Sequence, residues 1–100
     1  MSYSVILIPI AEADVLEAWH WYKNESPGLE QKFWDATFQT ILRIAKHPSR
    51  FSLAKADIRV AFVKRFPYKI VFYTNEAMKR VEVIAVVHNK RHPAVWQRRV

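Results

Sequence analysis

The first quarter of the chain changes from an extended to a helical pattern. Residues 3–10 are rich in β-branched and aromatic side chains, and apolar residues occupy both parities. This pattern predicts a strand covered on both faces, with Pro9 near its end, where a missing N–H is tolerated. Residues 11–25 then predict a helix, because apolar side chains recur there at helical spacing: Val15, Leu16, Trp19 and Tyr22.

A second helix is predicted over residues 29–46. The only glycine of the chain, Gly28, lies in the polar turn between the two helices. Because this connection is short, the helices should form an antiparallel αα-hairpin. The apolar stripe of the second helix is wide enough for contacts on two sides, and its surplus width lies at Trp34, Phe38 and Leu42.

The remainder of the chain follows a period of two. This period predicts strands over residues 57–65, 68–74 and 80–88, joined by short turns as an antiparallel meander. The predicted order is β-α-α-β-β-β in a single domain over residues 1–100. We therefore expect an α+β fold in which the N-terminal αα-hairpin packs on an antiparallel sheet with a C-terminal meander. The first strand should pair at one edge of the meander, and residues 94–99 should form a short helical turn.

Charge is strongly segregated between the two halves of the chain. Residues 1–54 hold 5 Lys/Arg against 6 Asp/Glu, whereas residues 55–100 hold 11 against 3, so the excess of the net charge of +7 lies in the second half. Such segregation favours a polyanionic or acidic partner for that half. The alternative is that the basic residues only solubilise the surface.

Several classes of chemistry are excluded by what the sequence lacks. The absence of cysteine removes disulfides and thiolate chemistry. No phosphate loop, HExxH motif or nucleophile elbow occurs, so we expect no cofactor and no metal. His88 and His92 are four residues apart, but Pro93 argues against the helix that a zinc site there would need. No signal peptide or membrane span is recognisable, which predicts a cytoplasmic protein without a membrane partner.

Candidate binding residues cluster at the C-terminus. The stretch over residues 88–99 holds four Lys/Arg, two His and Trp96. Guanidinium groups fit phosphate or carboxylate, and an indole can stack on a base or anchor an interface. Trp96 can equally fold back to cover the sheet. By alternation, Arg59 and Lys69 should both point to the sheet face away from the core, as an anion-binding surface or as an ordinary exposed face.

Several motifs, in order and at fitting distances, give the sequence its resemblance to a known family. They include Trp21-Tyr22, Pro27-Gly28-Leu29, Phe66-Pro67-Tyr68, His88, Arg91, Pro93 and Trp96. Together they resemble the RelE/ParE toxin superfamily of type II toxin–antitoxin systems, specifically its ParE-like branch. The β-α-α-β-β-β fold of that family matches the order predicted above. The resemblance implies a role in plasmid stabilisation and a cognate antitoxin that forms a hetero-oligomer with the toxin.

The resemblance implies one of two activities. ParE-like members inhibit DNA gyrase as a protein partner, whereas RelE-like members cut mRNA on the ribosome with basic side chains and a C-terminal Tyr. The lysines of the RelE-like set fall on or near Val60 and Phe62, its strand arginine falls on Lys69, and its Tyr falls on Trp96. An indole has no titratable proton near neutrality, so RNA cleavage is disfavoured. If the chain is a ribonuclease, Lys69 and Arg91 are its catalytic candidates. A third possibility is an inactive member that only binds its antitoxin.

Two sets of site residues follow from this reading. The predicted target-binding residues are Arg59, Lys69, Lys90, Arg91, Trp96 and Arg98. In that set the charges attract the target, and Trp96 anchors the C-terminal segment. The predicted antitoxin-binding groove lies at Trp34, Phe38 and Leu42, because such partners lay an amphipathic helix in an apolar groove or add a strand to an open edge.

Overall fold

The protein folds as two long helices on one face of a five-stranded sheet, in a computed structural model that describes residues 2–100. The strands are β1 (Ser4–Leu7), β2 (Ser52–Lys55), β3 (Ile58–Phe62), β4 (Tyr68–Asn75) and β5 (Arg80–His88). The helices are α1 (Pro9–Glu25), α2 (Leu29–Lys46) and α3 (Ala94–Gln97), and a 3-10 turn spans Pro48–Arg50. The α+β class and the order of the predicted elements are confirmed.

The strand order in the sheet is β1-β5-β4-β3-β2. Strands β2 to β5 form an antiparallel meander, and β1 pairs parallel with β5, from Ser4 opposite Arg80 to Leu7 opposite Val83. The first strand therefore lies at an edge, as expected, and makes the sheet mixed. The residues of β5 from Val83 to Val87 are all buried, because helices cover both faces of the sheet at this strand.

Two predicted boundaries were wrong near the first proline. The strand predicted over residues 3–10 ends at Leu7, and Pro9 begins α1 instead of ending a strand. Proline is favoured at the first position of a helix, because its fixed φ suits the helix and its missing N–H leaves no bond unmade. The helical spacing of apolar side chains from Val15 onward could not reveal this first turn.

A short edge strand was also missed. Strand β2 is exposed at all four positions and is paired with β3 through an irregular register between Leu53 and Lys55. An exposed strand has no buried face, so it leaves no apolar alternation in the sequence. Strand β3 is correspondingly shorter than predicted and ends at Phe62, not at residue 65.

Gly28 sets the angle between the two long helices. Its φ of 101° lies in the left-handed region, which side chains other than glycine rarely adopt. Its N–H donates a 2.6 Å hydrogen bond to Glu30 Oε1, in the first turn of α2. The hairpin then packs on the sheet through an aromatic cluster in which the Tyr22 and Phe33 rings lie 5.1 Å apart.

The sheet has two differently covered faces. The helix-covered face contributes to the main core with α1 and α2, through Ala61, Val63, Ile70, Phe72 and Val83 among others. The opposite face, which we call the open face, carries a smaller cluster that is covered by α3. Its buried members are Ile58, Val71, Ile84, Ala85, Val87 and Trp96. The part of the open face that α3 leaves uncovered is therefore available to a partner, as are the edge strands β1 and β2.

The C-terminus is tied to α1 and β5 by an ion pair that we call the clasp. Arg99 donates to both carboxylate oxygens of Asp14 at 2.6 and 3.2 Å, and to the carbonyl of Ile84 at 3.1 Å. Asp14 Oδ2 also accepts the N–H of Val86 at 3.0 Å. Strand β5 bulges at this point, past the residue where β1 stops pairing with it. The clasp thus satisfies backbone groups that β1 leaves without a partner.

Candidate functional site

Arg59 does not share a face with Lys69, contrary to the prediction. It lies opposite Phe72 in the β3–β4 ladder, and cross-strand partners share a face, so Arg59 is on the helix-covered side. Its Nη1 donates a 2.6 Å hydrogen bond to the carbonyl of Phe51, just before β2. The prediction failed because Ile58 was taken as a residue of the main core, whereas it belongs to the open-face cluster.

Lys69 does lie on the open face, in largely apolar surroundings. It pairs with Phe62 of β3 and with Val87 of β5. Phe62 is 61% exposed, and Val60, on the same face, is half-buried. We call Val60, Phe62 and Lys69 the open-face patch. It presents one cation beside an exposed aromatic ring, which is not a cluster of cations suited to a phosphate.

Trp96 is buried and does not present its ring to a partner. It is 3% exposed and packs in the open-face cluster with side chains of β4 and β5. This position matches the alternative in which Trp96 folds back to cover the sheet. The remaining predicted cations at the C-terminal end of the chain, Lys90, Arg91 and Arg98, are exposed. Lys90 and Arg91 follow β5 directly, just beyond the residue that pairs with Lys69.

Two histidines of the C-terminal stretch accept backbone hydrogen bonds through their Nδ1 atoms. The Nδ1 atom of His88 accepts the N–H of Lys90 at 3.1 Å, and that of His92 accepts the N–H of Ala94 at 3.0 Å. With Nδ1 as acceptor, the neutral imidazole carries its proton on Nε2. Within residues 2–100, no group of three or more His, Cys, Asp or Glu side chains could hold a metal ion.

A cleft between α1 and the start of β4 was not predicted. A cavity of about 530 Å³ is lined by Glu17, Trp21, Tyr68 and His88 among others, and a smaller one of about 50 Å³ shares three of these residues and adds Arg91. The rings of Tyr68 and His88 lie 5.4 Å apart. The sequence signal was the Tyr68 of the Phe-Pro-Tyr turn, but its neighbours come from distant elements.

The tyrosine hydroxyls of this cleft can act as hydrogen-bond donors. Burial raises the pKa of the Tyr68 hydroxyl, and the negative charge of Glu17 raises it further, against a smaller opposite effect of Arg91. Burial also raises the pKa of the neighbouring Tyr22. Both hydroxyls therefore stay protonated near neutrality. The cleft offers hydroxyl donors to a ligand, and its walls also carry the carboxylates of Glu17 and Asp14 and the imidazole of His20.

The predicted antitoxin-binding residues form a continuous apolar stripe along α2. The rings of Trp34 and Phe38 lie 5.8 Å apart, and Leu42 follows one turn later. Phe38 is 43% and Leu42 41% exposed, whereas Trp34 packs partly against the main core. We call these three residues the α2 stripe. None of them contributes to the cleft described above.

Within residues 2–100, no helix combines the length and the apolar character needed to cross a bilayer.

Comparison with known proteins places this chain among toxins of type II toxin–antitoxin systems. Residues 5–93 match a family described as the ParE toxin of the type II toxin–antitoxin system parDE. No curated protein sequence matches the chain.

Solved structures share the fold at low sequence identity. A chain of the chromosomal ParDE system from P. aeruginosa is 13% identical with a TM-score of 0.75, and the match covers 87% of this chain and 96% of that one. A chain of the RelBE2 toxin–antitoxin complex from Mycobacterium tuberculosis is 17% identical with a TM-score of 0.61, over 88% and 99% of the two chains. A mutant of the E. coli RelE toxin in the free state is 15% identical with a TM-score of 0.64, over 90% and 86%.

Proposed function

Because the chain belongs to the ParE toxin family of type II toxin–antitoxin systems, we propose that it inhibits DNA gyrase in the cytoplasm by protein–protein contact, and that a cognate antitoxin neutralises it in a hetero-oligomer. The observation that carries the proposed mode of action is the open-face patch. There Phe62 is exposed next to Val60, with Lys69 as the only cation on the patch. An exposed aromatic ring bordered by a cation is a common composition of protein-binding surfaces.

The predicted target-binding residues divide into two roles in this proposal. Four exposed or half-buried cations attract an acidic or DNA-engaged surface of the target: Lys69, Lys90, Arg91 and Arg98. The other two act by positioning. Trp96 holds α3 against the sheet, and Arg59 fastens the chain at the start of β2 through the Phe51 carbonyl.

A ribosome-dependent mRNA endonuclease is the less well supported alternative. It would use Lys69 and Arg91 to bind phosphate and the protonated Tyr68 hydroxyl as the acid. The position of the expected C-terminal Tyr holds the buried Trp96, whose indole has no titratable proton near neutrality. A member that only binds its antitoxin is the second alternative.

Pulse-labelling after induced expression in a bacterium distinguishes these functions. We expect DNA synthesis to fall first while translation continues, and the purified toxin to inhibit gyrase-catalysed supercoiling. An early fall in translation, with DNA synthesis following later, would contradict the gyrase proposal and favour the endonuclease. If DNA synthesis and translation both continue at normal rates while the chain is expressed and folded, the result would favour the second alternative, a family member that only binds its antitoxin.

The role of the open-face patch is tested with a matched pair of variants. Phe62→Ala/Lys69→Ala removes the exposed ring and the cation together, and we expect it to abolish toxicity. Arg50→Ala/Lys55→Ala removes two exposed cations outside the proposed surface and should remain toxic. Equal toxicity of the two variants, at equal expression, would show that the patch does not contact the target.

The α2 stripe is proposed as the docking surface of the antitoxin. Apolar side chains at positions i, i+4 and i+8 of one helix, of which Phe38 and Leu42 are exposed, suit the apolar face of a partner helix. Phe38→Ala/Leu42→Ala removes exposed side chains with little cost to the core. We expect the variant to fold, to keep its toxicity and to lose antitoxin affinity in a titration of the purified proteins. An unchanged affinity would refute this docking surface.

A further inference from the structure

A groove of about 980 Å³ lies between α2 and the turn that joins β3 to β4. It is separate from the open-face patch and from the α2 stripe. One wall is a face of α2 on which residues recur at spacings of three or four: Lys32, Ala36, Gln39 and Arg43. The other wall is the turn over residues 64–67. The α2 stripe begins two residues after Lys32, which is about 200° further around the helix axis. The groove and the α2 stripe therefore use different faces of α2.

The floor of the groove is apolar and rigid. Tyr22 and Phe66 lie edge to face, with ring centroids 5.1 Å apart, and Phe66 also packs on the buried Phe33 at 5.5 Å. Leu29, Ala36 and Pro67 complete the apolar lining. A ligand that fills this groove therefore needs apolar side chains as well as charge.

The rims of the groove are basic. Two cations stand on α2, Lys32 and Arg43, and two on the turn, Lys64 and Arg65. Among residues 2–100 the ion pairs are Lys79–Glu76, Arg80–Glu82 and Arg99–Asp14, so none of the four rim cations is neutralised within the described chain. The one acidic lining residue, Asp35, accepts a hydrogen bond from Gln31 at 2.9 Å.

Two of these cations are held in place by local structure. The Arg43 guanidinium donates to Thr40 Oγ1 at 3.5 Å, and Thr40 itself is buried and lines the groove. Arg65 has a φ of 70°, in the left-handed region that favours glycine or asparagine. Strained backbone of this kind is concentrated at ligand-binding and functional sites. Ala56 and Lys79, in other turns, also have a positive φ, so this conformation shapes the turn but does not by itself identify a ligand.

We infer that this groove binds an acidic, partly apolar peptide segment of the partner antitoxin. Charge complementarity identifies the ligand as anionic, and the apolar floor favours a peptide over a nucleic acid, whose phosphates would leave the floor uncovered. From Lys32 to Arg43 the helix wall spans roughly 17 Å, the length of about eleven helical residues. The inference rests on the proposed function only in assigning the segment to an antitoxin.

The groove is tested by fluorescence polarisation with the refolded full-length toxin. The probe is a labelled amphipathic peptide of about twelve residues, with Glu on one face and Leu on the other, which matches the length of the wall. Its control carries Gln in place of each Glu. We expect the acidic peptide to bind at least about tenfold more tightly than the control, with an affinity that falls as salt rises. Equal binding of the two peptides would overturn the assignment.

Variants locate the binding on the protein. Lys64→Glu/Arg65→Asn reverses one rim charge and removes another, and asparagine tolerates the φ of residue 65. We expect this variant to bind the acidic peptide at least about tenfold more weakly than the wild-type protein. The matched Arg50→Glu/Lys55→Asn variant should bind it with wild-type affinity. Circular dichroism confirms that both fold. Equal effects of the two variants, or displacement of the peptide by a short oligo-dT at equal concentration, would refute a peptide groove.

Failure of this inference is distinguishable from failure of the proposed function. If the antitoxin binds the Lys64→Glu/Arg65→Asn variant with unchanged affinity, the groove is not its site, although the toxin–antitoxin pairing stands. If the acidic peptide binds at the groove but no antitoxin binds the toxin, the pairing fails and the groove serves another acidic partner. The expected result is that both the peptide and the antitoxin bind the variant more weakly.

Discussion

The clasp between Asp14 and Arg99 allows a quantitative prediction for Arg99→Ala. The substitution removes two charge-assisted hydrogen bonds to Asp14 and one to the Ile84 carbonyl. Only 13% and 14% of the surface of the two side chains is exposed, so water replaces these bonds poorly. A hydrogen bond to a charged group contributes about 1.5–3 kcal/mol, and an isolated buried charge adds a penalty. Since the pair retains some solvent, we expect a loss of about 2 kcal/mol in the free energy of unfolding.

Denaturant unfolding of a double-mutant cycle measures the clasp itself. Asp14→Ala should also lower stability, because it removes the acceptor of the Val86 N–H as well as the ion pair. The double variant should lose less than the sum of the single losses, with a coupling of about 1 kcal/mol. Arg98→Ala, one residue away and exposed, is the control and should change stability by less than about 0.5 kcal/mol. Additive losses, or an Arg99→Ala variant as stable as this control, would refute the reasoning.

The remaining predictions concern stability and pH. Arg59→Ala should cost about 1 kcal/mol through its lost hydrogen bond, whereas Lys69→Ala should leave thermal unfolding unchanged; equal losses would contradict the different faces assigned to the two side chains. The raised pKa values of Tyr22 and Tyr68 make the folded state hold its protons more tightly than the unfolded chain. Stability should therefore fall as pH rises above about 10, and less steeply in Tyr68→Phe; a pH titration of unfolding with identical slopes would exclude this cause. Gly28→Ala should lower stability by roughly 1 kcal/mol because of its positive φ, with no change in toxicity at permissive temperature; unchanged unfolding would show that the turn relaxes freely.

Most of the fold could be predicted from local patterns in the sequence. Both long helices and the three long strands have a buried face, and a buried face produces regular apolar spacing. Strand β2 has none, and nothing in its four exposed residues distinguishes it from a loop. The start of α1 at Pro9 was missed because the first turn of a helix is defined by capping and not by apolar periodicity.

The candidate site was harder to predict, because it depends on which face each strand residue occupies. Alternation gives two sets of residues per strand but does not say which set the helices cover. For β4 the assignment was right, and Lys69 lies on the open face. For β3 it was reversed, since both sets are largely apolar and Arg59 was placed on the wrong side. The clasp and the basic groove join distant residues, a relation that no local pattern can indicate.

The parallel pairing of β1 with β5 has a consequence for how the protein is made. Residues 4–7 find their partner strand only at residues 80–83, and the clasp joins Asp14 to Arg99, 85 residues further along the chain. Contacts this distant along the chain close late, because a long loop must be ordered before they form. During synthesis the helical hairpin can form early, whereas β1 cannot join the sheet until β5, over residues 80–88, has been made. A chain that lacks residues 80–99 would thus be unable to join β1 to the sheet or to form the clasp.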